Sequence, residues 1–336
     1  MLRFSIKRLL FSIFVLFGIS IVIFSLARVI PGDPARMALG SSASPQAVAE
    51  LREKMHLNDP LPSQYVKWIT DVFQGDFGQS LSSKRPVTAD VYEFFPATLE
   101  LILVAAVIDI VFAFIMGIAA AKRRNSWLDG TIRVFSYLGI SVPAFVWAVL
   151  FMLFFGFIWQ VLPVVGRLTT GLAIPARVTG LYIIDFLMAG NVSGALDALG
   201  HVFLPALSLA IGTMCQESRI LRSSLIDNMS KEHITVTTSF GIPQNKIIRK
   251  YLLKPSSVAV ITVIGLDFAS MMGNAFLVEA VFGWPGLSKY CLNAMLSKDF
   301  NAICACVLII GLMYTVINII VDLVNATLDP RARLGD

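Results

Sequence analysis

The sequence predicts an all-α integral membrane protein with six transmembrane helices and a small helical external insertion after the first. Three observations carry this. Hydrophobic residues make up 56% of the 336 and charged residues only 15%, and mean hydropathy is +0.76, a balance foreign to soluble domains. Six apolar runs approach or exceed the roughly 20 residues that span a bilayer. Lys and Arg gather in alternate short loops, which sets the orientation. The formal net charge of +5 follows from that bias and calls for no nucleic-acid partner.

Residues 1–30 read as a cytoplasmic tail and the first span, Leu9–Ala27. This run is longer than a signal-peptide core, and no small-residue cleavage site precedes Arg28-Val29-Ile30-Pro31, so it is expected to be retained. Residues 31–96 form the external insertion. Ser44 caps a helix with Pro45 at its first position, and Val48, Leu51 and Met55 make a short apolar stripe. A second helix is expected from Pro62, with Tyr65, Trp68, Ile69 and Val72 inward, ended by Gly75-Asp76-Phe77-Gly78. Such a lobe either packs on the membrane domain or meets an external partner.

Residues 97–336 hold the remaining core. Its spans are Ala97–Ala121, Val134–Ile158, Val202–Met214 continuing towards Ile226, Val258–Val278 and Ala302–Val324. Glu217, Arg219 and Arg222 cut the fourth short, so it reads as a helix projecting beyond the bilayer. An external loop, Gln160–His201, has an interfacial stretch at Leu181–Ala189. Basic clusters at Arg3, Lys7 and Arg8, at Lys122–Arg124 and Arg133, between Arg219 and Lys254, and at Arg331 and Arg333 place both termini in the cytoplasm. None of the four cysteines has metal-ligand spacing, and Cys304 and Cys306 are expected to be buried apolar groups of the sixth span.

The most informative polar stretch is Ser230–Pro255, which lies between two spans. Ile247, Ile248, Tyr251 and Leu252 share one helical face, with Lys246, Arg249, Lys250 and Lys254 on the others. Gly241 permits a sharp turn, and Pro243 suits a helix start. Two short helices about a Gly hinge make a knob that a partner's groove can receive; the same pattern also describes an amphipathic loop resting on lipid headgroups.

A charge at the centre of a span costs about 2.5–3.5 kcal/mol on insertion scales, so each requires a reason. In the fifth span Asp267, Ser270 and Asn274 form a polar face, turned about 160–200° from a small-residue stripe of Gly265, Ala269 and Gly273. The polar face reads either as the lining of a translocation route, with Asp267 meeting a cationic group, or as an internal hydrogen bond between helices. Asp109 lacks such companions and reads as structural, while Glu100, Glu279 and Asp322 lie near span ends and are expected to reach the interface. No phosphate-binding Gly-rich loop, dinucleotide fingerprint, nucleophile elbow or His-Glu-x-x-His motif occurs, and the three histidines are far apart in sequence.

Several ordered blocks make the chain resemble the inner-membrane permease subunits of ABC importers for dipeptides, oligopeptides and nickel. They are Pro31-Gly32-Asp33-Pro34, Gly75-Asp76-Phe77-Gly78-Gln79-Ser80, Pro86-Val87, Pro96-Ala97-Thr98-Leu99-Glu100-Leu101, Leu162-Pro163 with Gly166-Arg167, Leu204-Pro205-Ala206, Val278 to Leu287, and Asp329-Pro330-Arg331. The resemblance implies a type I ABC importer permease fold in a prokaryotic inner membrane. It implies a second homologous permease, two ABC ATPase subunits that bind ATP and Mg, and an external solute-binding protein, with no cofactor and no catalysis in this chain. It makes residues 230–255 the segment that couples to an ATPase, with Glu232, His233, Gly241, Ile242 and Pro243 as docking residues. Where the family motif has Glu-Ala-Ala, this chain has Thr235-Val236-Thr237. Other readings are a nickel or metal-chelate permease, a self-contained secondary transporter, and a membrane scaffold.

Overall fold

The computed structural model describes residues 2–29, 34–40, 43–54 and 56–328; the Pro31-Gly32-Asp33 and Asp329-Pro330-Arg331 blocks lie outside them. The helices run in the order α1 (Leu2–Val29), α2 (Pro34–Leu39), α3 (Pro45–Lys54), α4 (Leu61–Phe73), α5 (Val87–Lys122), α6 (Trp127–Ser141), α7 (Ala144–Phe151), α8 (Tyr182–Met188), α9 (Val192–Met229), α10 (Glu232–Ser239), α11 (Gln244–Ile247), α12 (Leu253–Val281), α13 (Leu287–Leu296) and α14 (Phe300–Leu328). Single π-helical stretches follow α7 (Met152–Ile158) and α11 (Ile248–Leu252). α9 is the central post, and α5, α6, α7, α8 and α12 all pack on it, while α14 packs on α1 and α12.

Among the described residues, four helices are long and apolar enough to cross a membrane: Val87–Lys122, Val192–Met229, Gln244–Phe268 and Phe300–Asn325. The apolar part of α1, Leu10–Leu26, is shorter. The expected single span Val134–Ile158 is instead a broken pair, 127–141 and 144–158, bent by 105°. The cause is Pro143: the residue before a proline is driven out of the α region, and Val142 ends α6 at φ −100°, ψ 125°. Pro96 and Pro205, by contrast, lie inside α5 and α9, and α5 starts at Val87, well before the expected Ala97.

In the lobe, Ser44 caps α3 as expected, accepting from Ala47 N at 3.2 Å. Tyr65 and Trp68 of α4 turn inward onto α1. Their rings lie 5.4 and 5.5 Å from that of Phe24, and the Tyr65 and Ser20 hydroxyls share a 2.7 Å hydrogen bond. The lobe therefore packs on the first helix.

One end of the bundle is closed by a buried polar latch built from the ends of α5 and α12. Glu279 is fully buried. It accepts from Thr98 Oγ1 at 2.5 Å and from Lys289 N at 2.7 Å. Thr98 Oγ1 in turn accepts from Leu287 N at 2.7 Å, and Trp284 Nε1 donates to Ala97 O at 2.9 Å. Beside them, Arg167 pairs with Glu100 at 2.5 Å and stacks 3.5 Å over the Tyr182 ring. Glu100 also accepts from Ile183 N at 2.8 Å. Glu100 and Glu279 thus do not reach the interface as expected; each is spent on partners inside the bundle, because a buried carboxylate left unpaired is costly. Asp322 does meet a surface cation, Arg8, at 3.3 Å.

Gly286 begins α13 without a side chain, and a Cβ there would collide with the Glu279 carboxylate. Glu279 takes over the role of the cap, placing an acceptor on the first free N–H groups of α13. Gly286→Ala is therefore expected to destabilise the purified protein by about 1–3 kcal/mol, read as a lower thermal-unfolding midpoint in detergent. Gly273→Ala is the control: it lies in open space on α12, and its midpoint should not fall.

Candidate coupling segment and transport face

The polar stretch 230–255 folds into a two-helix hairpin against the end of the bundle. Its apolar residues point in. Ile234, Ile247, Ile248 and Leu252 are buried with Leu221, Leu225, Ala121 and Val260, and Tyr251 packs on the same cluster, so the expected face of Ile247, Ile248, Tyr251 and Leu252 is the inner one. Two polar ties brace the base. Asn228 Nδ2 donates to Ser256 Oγ at 2.9 Å, linking α9 to α12, and Lys122 Nζ donates to Asn245 Oδ1 at 2.8 Å, linking α5 to α11.

The outer face is left bare. Glu232, His233, Gly241 and Pro243 are exposed, and Ile242 is half-buried. Phe240 stands at the tip with 81% of its surface exposed. The turn is made by Gly241 at φ +71°, a conformation that costs other residues roughly 1–2 kcal/mol. The β-branched run in α10 still forms a regular helix. Its hydroxyls bond back to carbonyls one turn earlier, Thr237 to His233 O at 2.6 Å and Thr238 to Ile234 O at 2.9 Å. Sequence reasoning passed over Phe240 and Ile234; the signal for both was an isolated large apolar side chain in a polar run.

On α12, Ser270 and Asn274 are exposed and Asp267 is half-buried. Asn274 Nδ2 donates to Ser270 O at 3.0 Å. Of the small-residue stripe, Gly265 presses on α14, where a Cβ would sit 2.9 Å from Val321. Gly273 touches nothing and is exposed, and the Ala269 side chain lies outside the described set. The stripe is therefore a packing seam at one end only. Asp267 is less exposed than its two companions. One of its oxygens is buried without a hydrogen bond, and it interacts electrostatically with Asp109 of α5 and Glu217 of α9. Both Glu217 oxygens are buried and make no hydrogen bond. Asp109 thus has companions that the sequence hid, on two other helices. Among the described residues no group of three or more His, Cys, Asp or Glu is arranged to hold a metal ion. All four cysteines are free and buried.

Long apolar helices, with a polar face on one of them and an internally anchored hairpin at one end, fit a multi-pass membrane component. Residues 113–334 match the family described as binding-protein-dependent transport system inner membrane component, and residues 1–102 match that family's N-terminal region. The chain is 36% identical over 325 residues to the probable D,D-dipeptide transport system permease protein DdpB of Escherichia coli K12, covering 96% of this chain and 95% of that one. It is 34% identical to the dipeptide transport system permease protein DppB of Alkalihalophilus pseudofirmus, over 99% and 100% of the two chains. It is 32% identical to the glutathione transport system permease protein GsiC of Salmonella paratyphi A, over 99% of each. The chain belongs to the dipeptide and oligopeptide ABC-importer permease family, a family of non-catalytic, multi-pass membrane components.

The hairpin's exposure, with the cytoplasmic side expected from the basic loops, gives a direct prediction. A cysteine at Phe240 should react with a membrane-impermeant thiol reagent in inverted membrane vesicles and stay unlabelled in intact cells. The buried native cysteines should give little background. Labelling in intact cells would reverse the orientation.

Proposed function

We propose that this chain is a transmembrane subunit of an ATP-driven importer of dipeptides or short oligopeptides. It provides part of the translocation path and receives the stroke of separate ATPase subunits through residues 230–255. The observation that carries this is the hairpin's two-sidedness. Its inner face is locked into the bundle through Ile234, Ile247, Ile248 and Leu252, while Glu232, His233, Phe240, Gly241 and Pro243 are open to a partner. A rigid knob with a buried root transmits a push; a loop lying on lipid does not. In this reading the α6–α7 pair counts as one bent span and α1 as another. The chain then crosses six times, with both termini inside and the lobe of α2–α4 outside.

The partners are a second homologous permease, two ABC ATPases that hold ATP and Mg, and an external solute-binding protein. The polar side of α12 faces the path. Asp267 offers a carboxylate in a low-dielectric bundle, which suits the ammonium end of a peptide.

Cells lacking this chain should lose uptake of a labelled dipeptide, and the returned gene should restore it. Unchanged uptake would contradict the peptide reading. Gly241→Val should lower uptake by roughly tenfold, the equivalent of the ~1–2 kcal/mol of left-handed backbone strain, with the protein still in the membrane at its normal level. Asp267→Asn should lower uptake at unchanged protein level; normal uptake would remove Asp267 from the path.

A further inference from the structure

A second charged feature lies where α6 and α9 meet, near the end of the bundle that carries the hairpin. Arg222 grips Asp129 with two hydrogen bonds, Nε to Oδ1 at 2.6 Å and the terminal nitrogen to Oδ2 at 2.7 Å. Asp129 also accepts from Asn125 N at 3.0 Å, so its oxygens are committed. Arg133 stands 3.9 Å from the same carboxylate. Arg219 lies 4.9 Å over the Tyr137 ring, and among the described residues no carboxylate pairs with it. These groups, with Gln216 and Ser223, line a cavity of about 520 Å³. Its lining charges are three guanidinium groups, and its one neighbouring acid is already bound.

The surroundings select the occupant. The outer face of α6 is apolar and open, with Trp127, Val134 and Leu138 exposed by 77, 60 and 55%. Ile140 continues that apolar surface into the cavity wall. Trp127 at the start of α6 marks the headgroup level of a bilayer. Basic pockets between spanning helices at the cytoplasmic level are suited to anionic headgroups, and paired guanidinium groups are suited to phosphate.

We propose that this cavity binds the phosphate of an anionic phospholipid between Arg133 and Arg219, with the acyl chains lying along α6. The proposal rests on the orientation given above, which puts this end at the cytoplasmic leaflet; its test does not depend on transport. The full-length chain would be purified from membranes in mild detergent, and the phosphatidylglycerol retained per chain measured by mass spectrometry. The wild type should retain it. The double variant Arg133→Gln with Arg219→Gln, which leaves the Arg222–Asp129 clamp intact, should retain roughly tenfold less while unfolding at the same temperature. The double Lys variant should recover part of the binding, and inorganic phosphate should not displace the lipid.

Equal retention in wild type and Gln variant would overturn the proposal. So would displacement by inorganic phosphate, which would indicate a free-anion site. So would protection of Arg219 from a guanidine-modifying reagent by assembly with partner subunits in lipid-free detergent, which would indicate a protein interface. If the Gln variant does not accumulate, the wild type decides. In vesicles of phosphatidylglycerol and phosphatidylcholine, the lipid co-purifying with it should be enriched in phosphatidylglycerol over the bulk; no enrichment would count against the site.

Discussion

The arrangement depends on how one buried carboxylate is satisfied. Glu279 sits at the end of α12 with no exposure, and every element that meets there is placed by the need to give it partners. Thr98 brings α5, the N–H of Lys289 brings the first turn of α13, and Gly286 supplies the missing side chain that makes room. Within a bilayer water cannot take the place of such partners, so these contacts are obligatory in a way that surface hydrogen bonds are not. The Arg167–Glu100 pair beside it follows the same logic, with a backbone amide on the acid and an aromatic ring under the cation. Three of the blocks that carried the family resemblance, Pro96 to Leu101, Gly166-Arg167 and Val278 to Leu287, build this latch.

The opposite end is built on the contrary principle. Its hairpin hides apolar residues and presents polar and aromatic ones, so its stability comes from the root while the tip stays exposed. Between the two ends run α9 and α12, bearing Glu217, Asp267 and the Ser270–Asn274 face, with Asp109 of α5 beside them. A push on the hairpin is a push on the ends of these two helices, since Asn228 and Ser256 tie them together at its base.

Features whose information is local were legible in the sequence. The inner face of Ile247, Ile248, Tyr251 and Leu252, the Gly241 turn, the Ser44 cap and the inward set of α4 each depend on residues within a turn or two. Features that join distant segments were not. Thr98 and Glu279 are 181 residues apart, so hydropathy read one span at a time left Glu279 and Glu100 as groups near the interface. Asp109, Glu217 and Asp267 lie on three helices and looked unrelated for the same reason. The break at Pro143 was hidden differently: an apolar run averages smoothly over a proline, although the residue before it is disfavoured in the α region and Val142 leaves it.

The central claim is that the hairpin is a docking knob for an ATPase. A photo-crosslinking amino acid placed at Phe240 in cells that express the whole transport system tests it most directly. The account predicts a crosslinked product between this chain and an ATPase subunit, and predicts that Gly241→Val weakens it. Adducts confined to phospholipid would contradict it and leave 230–255 an amphipathic loop on the membrane surface.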